Sequence, residues 1–313
     1  MEGRLSGKPR KPVLDAVKAF EAHHDHNADE TKRRYKRVLR YFTDFCATID
    51  LVYVDQINLE TLDRYALPRC KMRSWVKEVE LLRQLFEFCR DREWTAKNPA
   101  KCLKVPRILE ANEVLPYTQA QITKIIAACD EIGRSSYERR RARAMVLVMR
   151  YAGLRISDVV TLERGHIRGK YLMKRAVKNR RLIQVELPQA VLEALDVLPV
   201  PIAATQNNQR FFYSDTTGLR TLVKAACRTL DAVFKRSGVV GAHPHRFRHT
   251  LASELLGKDG SLEKVAGILG DSSATIRRYY AKWTPEYQGL QDDLIRKIHG
   301  TELAQAPEAT TKC

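Results

Sequence analysis

Residues 243–250 read His243-Pro244-His245-Arg246-Phe247-Arg248-His249-Thr250, and the conformation of this segment decides what the second half of the chain can be. If it opens a helix, His245, Arg248 and His249 fall at i, i+3 and i+4 and share one face. Two imidazoles and a guanidinium make a poor core surface and a good cradle for an anion. A solvated basic face is the alternative. His243 and Arg246 have the same three-residue spacing, so the segment alone leaves two registers open.

Two further segments carry unusual polar groups. Upstream, Ala152-Gly153-Leu154-Arg155-Ile156-Ser157-Asp158 places a glycine where one helix ends and a serine where the next could be capped. Arg155 is left at the junction, where by itself it reads as a surface arginine. Downstream, Leu269-Gly270-Asp271-Ser272-Ser273 leads through Ala274-Thr275-Ile276-Arg277-Arg278 to Tyr279-Tyr280-Ala281-Lys282-Trp283. Two adjacent tyrosines at the end of a basic helical stretch could both simply be packed.

The chain has 313 residues, enough for two domains with separate cores. Its composition, 44% hydrophobic and 29% charged, is that of a globular protein. No apolar run reaches the roughly 18–20 residues that span a bilayer, and the polar opening Met1-Glu2-Gly3-Arg4 predicts no secretory signal. A cytoplasmic, nucleoid-associated location is expected. Cys46, Cys70, Cys89, Cys102, Cys129, Cys227 and Cys313 are scattered without a C-x-x-C pair, which argues for free thiols rather than zinc ligation or disulfides.

A formal charge of +18 and a pI near 9.7 point to a polyanionic partner. Residues 1–110 hold 23 Lys and Arg against 17 Asp and Glu, and the remainder 32 against 20. Both halves are basic, so the charge is not one tail on a neutral body.

Residues 1–10 are read as a flexible N-terminus. From Pro12 to about Arg92 the pattern is helical, with Val38, Leu39, Tyr41, Phe42, Phe45, Cys46 and Ile49 at helical spacings and six basic residues over Lys32–Arg40. Asn58 can cap a helix through Leu67, and Trp75–Cys89 is amphipathic. Asn98-Pro99 stops the helical run, and 105–116 reads as a linker. Thr118-Gln119-Ala120-Gln121 is a capping box. A helical pattern over Arg140–Tyr151 breaks at Gly153. Tyr171–Ala176 and Leu182–Leu187 predict two strands joined by the basic stretch Lys178-Asn179-Arg180-Arg181. From Pro188 to His299 the reading is mostly helical, ending in a Tyr287–Ile298 helix with an apolar stripe. Residues 301–313 read as a disordered tail.

Taken together, the three polar segments resemble the tyrosine recombinase (phage integrase-type) family. Arg155 and Asp158 match its G-L-R-x-S-[DE] segment. Lys178 stands where that family carries a lysine on a β-hairpin, before Leu187-Pro188. His245, Arg248, His249 and Thr250 match H-x-[LF]-R-H-[TS], and only this register puts a histidine directly after the arginine and a large apolar residue before it. Tyr280 lies nine residues after Asp271, the family's distance to its nucleophile, whereas Tyr279 lies at eight. Tyr280-Ala281-Lys282-Trp283 is similar to one branch of the family. One departure is Asp271, where the family usually has histidine or tryptophan. An ionised acid cannot donate to a phosphate oxygen, so Asp271 is tolerated at a secondary position, orients a neighbour such as Tyr280 or Arg248, or weakens the enzyme. Tolerance with some loss of rate is the reading adopted.

The resemblance implies a two-domain, mainly α fold. A helical core-DNA-binding domain over 11–104 is followed by a mixed α+β catalytic domain over 117–300 with a small β-hairpin or sheet, the two forming a clamp on duplex DNA. It implies a site-specific recombinase that cuts and rejoins DNA through a 3′-phosphotyrosyl link at Tyr280. Arg155 and Arg248 would stabilise the transition state, with Lys178 as general acid and His245 as acid/base beside the nucleophile. His249 and Asp158 would support them, Asp158 by orienting Arg155 or the Arg248 helix. No cofactor or metal is expected. Double-stranded DNA is the partner, and copies of the chain would assemble as a tetramer on paired sites. A type IB topoisomerase-like enzyme and a catalytically weakened DNA-binding protein are the alternatives.

Overall fold

The computed structural model describes residues 10–72, 74–105, 115–201, 205, 208–258, 261–280 and 297. It divides into two units, Met1–Ala111 and Asn112–Cys313, with the division inside the stretch read as a linker. The expected flexible start, the Tyr287–Ile298 helix and the tail at 301–313 lie outside the described residues, apart from Arg10 and Lys297.

The first unit is helical: α1 (Val13–His23), α2 (Asp29–Thr48), α3 (Leu59–Ala66) and α4 (Trp75–Asp91). In α2 the buried residues Tyr35, Val38, Leu39, Phe42 and Cys46 fall on one stripe. The opposite face exposes Arg33, Arg34, Lys36, Arg37 and Arg40. Phe20, Phe42, Leu62, Trp75 and Leu82 close the core. Asn58 caps α3 by accepting the Thr61 amide at 2.9 Å. Asn98-Pro99 does more than stop a helix, because the pair starts a short 3-10 turn, Pro99–Cys102, capped by the Asn98 side chain.

The second unit opens at α5 (Gln119–Ala128), where Thr118 and Gln121 form the expected capping box. Around α6 (Ser136–Ala152) the other elements gather. Met145 to Met149 are buried in unbroken succession, which marks a helix covered on every side. It ends at Gly153, whose φ is +59°. A short α7 (Ile156–Val160) follows. Ser157, the expected cap, lies inside it, because the helix starts earlier. Arg155 stays extended, and its carbonyl already accepts the amides of Asp158 (2.8 Å) and Val159 (3.0 Å).

An antiparallel sheet of three strands comes next, in the order β1 (Ile167–Arg168), β2 (Tyr171–Arg175), β3 (Leu182–Glu186). β2 and β3 pair from Tyr171↔Glu186 to Arg175↔Leu182. The two residues of β1, too short to show alternation, were not expected. α8 (Gln189–Asp196) is followed by a correction. Residues 197–218 hold no helix among those described, because Pro199 and Pro201 break the pattern. Instead Phe211, Phe212 and Tyr213 are buried, and Phe211 donates its amide to the Leu162 carbonyl at 3.0 Å. The chain then forms α9 (Leu219–Ser237), α10 (Pro244–Gly257), α11 (Leu262–Leu269) and α12 (Ser273–Tyr280).

Gly270 closes α11 at φ +62°, and a Cβ there would stand 2.6 Å from Ile183 Cγ1 on β3. Left-handed backbone and absent space both demand glycine. Gly270→Ala is expected to cost about 2–4 kcal/mol, the sum of αL strain and overpacking, read as a lower urea midpoint with unchanged slope.

Candidate active site

Gly153, by ending α6 left-handed, releases Arg155 at the start of α7, and α10 begins immediately after His243. The i, i+3, i+4 geometry then sets His245, Arg248 and His249 along one side of α10. The β2–β3 turn carries Lys178, the α11–α12 turn carries Asp271, and α12 ends its described course at Tyr280. All seven line one cavity of about 570 Å³.

Arg248 is the deepest of them, 2% exposed. Its Nη1 donates to the Gly153 carbonyl at 2.9 Å and its Nη2 to the Leu269 carbonyl at 2.8 Å. The same Nη2 also donates to Asp271 Oδ2. Arg155 Nη2 donates to Asp271 Oδ1 at 2.6 Å. One carboxylate therefore spans both guanidiniums, using one oxygen on each. Burial raises the Asp271 carboxyl, but Arg248 and Arg155 outweigh it and hold it below the usual carboxylate range. Asp271 is ionised at neutral pH. Arg155 Nη1 is buried with no hydrogen-bond partner among the described residues, which leaves one donor of the pair unused.

The aromatic side of the cavity is built from α10 and α12. The His245 and His249 rings lie 4.7 Å apart, and the His249 and Tyr280 rings 5.3 Å apart. The His245 ring faces the open cavity, yet enclosure, then His249, Arg248 and Arg155, hold its imidazole below the ordinary value. It is neutral at pH 7 and can accept a proton. Burial pushes the Tyr280 hydroxyl up to about 12, against the opposing pull of Arg248. Tyr280 is 5% exposed and Tyr279 58% exposed, as expected of adjacent residues about 100° apart on a helix. Both reach the cavity edge, with Thr275 and Arg278, neither of which the sequence singled out.

The alternative register does not enter the site. The Arg246 guanidinium donates to the Leu115 carbonyl at 2.7 Å, and its charge sits 4.3 Å from the centre of the Tyr117 ring. Thr250 accepts the Tyr117 amide at 2.8 Å, so both residues secure the start of the domain. Asp158 also departs from expectation. It is fully buried, and the hydrogen bond of its Oδ1 is to the Val177 amide at 2.7 Å. Among the described residues it holds the base of the hairpin turn and hydrogen-bonds neither arginine. Lys174, buried on β2, donates to the Thr161 carbonyl at 3.0 Å and does not line the cavity.

Residues 117–286 match the phage integrase family. The chain is 24% identical over 236 residues to the tyrosine recombinase XerC of Chlamydia muridarum, covering 72% of this chain and 71% of that one. It is 22% identical over 284 residues to XerC of Leptospira interrogans, covering 87% and 88%. Its fold is similar to that of a lambda integrase fragment solved as a dimer bound to a core site, with a TM-score of 0.66, 14% identity and coverage of 85% and 97%. With more than half of the chain matched, and the match spanning Arg155, Lys178, α10 and α12 in order, the protein belongs to the phage integrase family of DNA-binding tyrosine recombinases.

Proposed function

We propose that the chain is a site-specific recombinase that cleaves and rejoins duplex DNA through a covalent 3′-phosphotyrosyl intermediate on Tyr280. The observation that carries this reading is the convergence of a buried tyrosine, two arginines, a lysine and a neutral histidine on one cavity. In the forward step Tyr280 Oη bonds to phosphorus and the P–O5′ bond breaks. His245 takes the tyrosine proton, and Lys178 gives one to the leaving oxygen. A tyrosine raised to about 12 needs both a base and a strongly anion-stabilising site to attack at neutral pH. Arg155 and Arg248 supply the second by paired hydrogen bonds to the non-bridging oxygens. A 5′-hydroxyl from another strand reverses the step, and the bond energy is conserved in the phosphotyrosyl link. His249 packs against the rings of both His245 and Tyr280 and supports them.

The test is a duplex nicked just 3′ of the scissile phosphate, so that the short cleaved piece diffuses away and the adduct accumulates. A protein–DNA band resistant to denaturation and sensitive to protease is the expected result. Binding without such a band would leave a non-catalytic member of the fold. Relaxation of supercoiled plasmids lacking any specific site would favour a topoisomerase.

Copies of the chain would pair on DNA, as the lambda integrase fragment does on its core site. Affinity should fall steeply with salt, because both units are basic and each neutralised phosphate releases counterions. Fluorescence anisotropy is expected to show a loss of about 10³-fold or more between roughly 50 and 200 mM salt. A nearly flat response would rule out extensive backbone contact.

A further inference from the structure

We propose that Asn179 and Arg181 are positioning residues that hold the Lys178 turn against the arginine-bearing wall, so that the lysine meets the leaving oxygen. The proposal rests on the reading of Lys178 as general acid and goes beyond it. Lys178 sits at an exposed turn, and among the described residues its ammonium has no ion-pair partner. A lysine has a long flexible stem, so only its backbone can aim it. The turn is closed internally. The Ala176 amide donates to the Arg181 carbonyl at 2.8 Å, and the Arg180 amide to the Ala176 carbonyl at 3.0 Å.

The residues flanking Lys178 are each tied to a segment that builds the phosphate seat. On one side the Val177 amide is held by Asp158 on α7, the helix that begins beside Arg155. On the other side Asn179 Nδ2 donates to the Gly270 carbonyl at 3.0 Å. Arg181 Nη1 donates to the Asp271 carbonyl at 2.6 Å. Behind these bonds Ile183 lies against Gly270 with no room for a Cβ. The Gly270-Asp271 turn leads directly into α12, and the Asp271 carboxylate spans both arginines. Hairpin tip, arginine pair and nucleophile helix therefore share one anchor. A shift of that tip by an ångström would take the ammonium out of proton-transfer range.

The reaction assigned to Lys178 is a proton transfer from Nζ to O5′ as the P–O5′ bond breaks. Replacing O5′ with sulfur removes the need for it, since a thiol ionises near about 8.5 and leaves as the anion. The experiment is single-turnover adduct formation at saturating DNA on the nicked duplex, with oxygen or sulfur at the 5′-bridging position. Parent, Lys178→Ala and the double variant Asn179→Ala/Arg181→Ala are compared. The double variant is expected to be slower by about 10-fold or more on oxygen, a part of the roughly 10²–10⁴-fold that general acids supply. On sulfur it should come within about threefold of the parent.

Hydrogen exchange at the Arg180 amide should quicken at least about tenfold in the double variant, which registers the loosened turn without any chemistry. An equal loss on both substrates, or no loss on oxygen, overturns the proposal. If Lys178→Ala shows no sulfur rescue, the general-acid reading fails first and this proposal falls with it. If Lys178→Ala is rescued and the double variant is not, only the tether is wrong. Should the double variant not fold, Asn179→Ala alone removes one exposed side chain and poses the same question.

Discussion

Tyr280→Phe abolishes adduct formation, while Tyr279→Phe retains it within a fewfold of the parent; this is the expected result of the largest single change. The substitution removes one oxygen and keeps the ring that packs on His249. Folding and DNA affinity should therefore be unaltered, and only the new P–O bond is lost. Tyr279 is the informative control. It has the same chemistry one residue away and also borders the cavity, but it is mostly exposed, and one helical step turns it about 100° from Tyr280. The readout is the denaturation-resistant band on the nicked duplex. A band surviving in Tyr280→Phe and vanishing in Tyr279→Phe would transfer the role to Tyr279. Loss in neither, with an active parent, would remove α12 from the chemistry.

Asp271→Asn should change stability and reactivity in opposite directions. The carboxylate neutralises two neighbouring guanidiniums, and its removal leaves Arg155 and Arg248 to repel each other in a mostly buried wall. Breaking a buried ion pair costs about 3 kcal/mol at the lower end, which for a unit of this size lowers Tm by about 6–12 °C. Sulfate at tens of millimolar, or cognate DNA, should return most of that loss by supplying an anion to the same two arginines. In the parent sulfate should change Tm far less, since the seat already holds a negative charge. Cleavage by Asp271→Asn should equal or exceed that of the parent, because phosphate no longer displaces a carboxylate. A tenfold slower variant with normal anion response would show that Asp271 aligns the arginines for catalysis.

Much of this site was legible in one dimension because helices convert spacing into facing. His245, Arg248 and His249 had to share a side once Pro244 opened a helix, and a single helical step had to turn Tyr279 and Tyr280 apart, while the preference for Tyr280 rests on the family's nine-residue spacing from Asp271. Gly153 and the Thr118 capping box were legible because left-handed backbone and unpaired amides leave few residue choices. What stayed hidden depends on contacts between distant segments. Arg155 and Asp271 meet across 116 positions, and no local pattern encodes a carboxylate placed between two arginines. The bond of Asp158 to the Val177 amide joins positions 19 apart and is hidden for the same reason. Residues 197–218 depart from the mostly helical reading after Pro188, because Pro199 and Pro201 remove amides a helix needs.

The burial of Arg248 has a consequence for the helices around it. The two carbonyls it holds, at Gly153 and Leu269, cap the C-terminal ends of α6 and α11, where the helix macrodipoles gather negative charge. The guanidinium thus acts as a shared terminal cation for two helices, besides facing the cavity. A chain in which either helix end has frayed loses the orientation of this arginine. A group placed by two helix ends at once reports on the folding of both, since only a chain with α6 and α11 complete to their last turns presents it to the cavity.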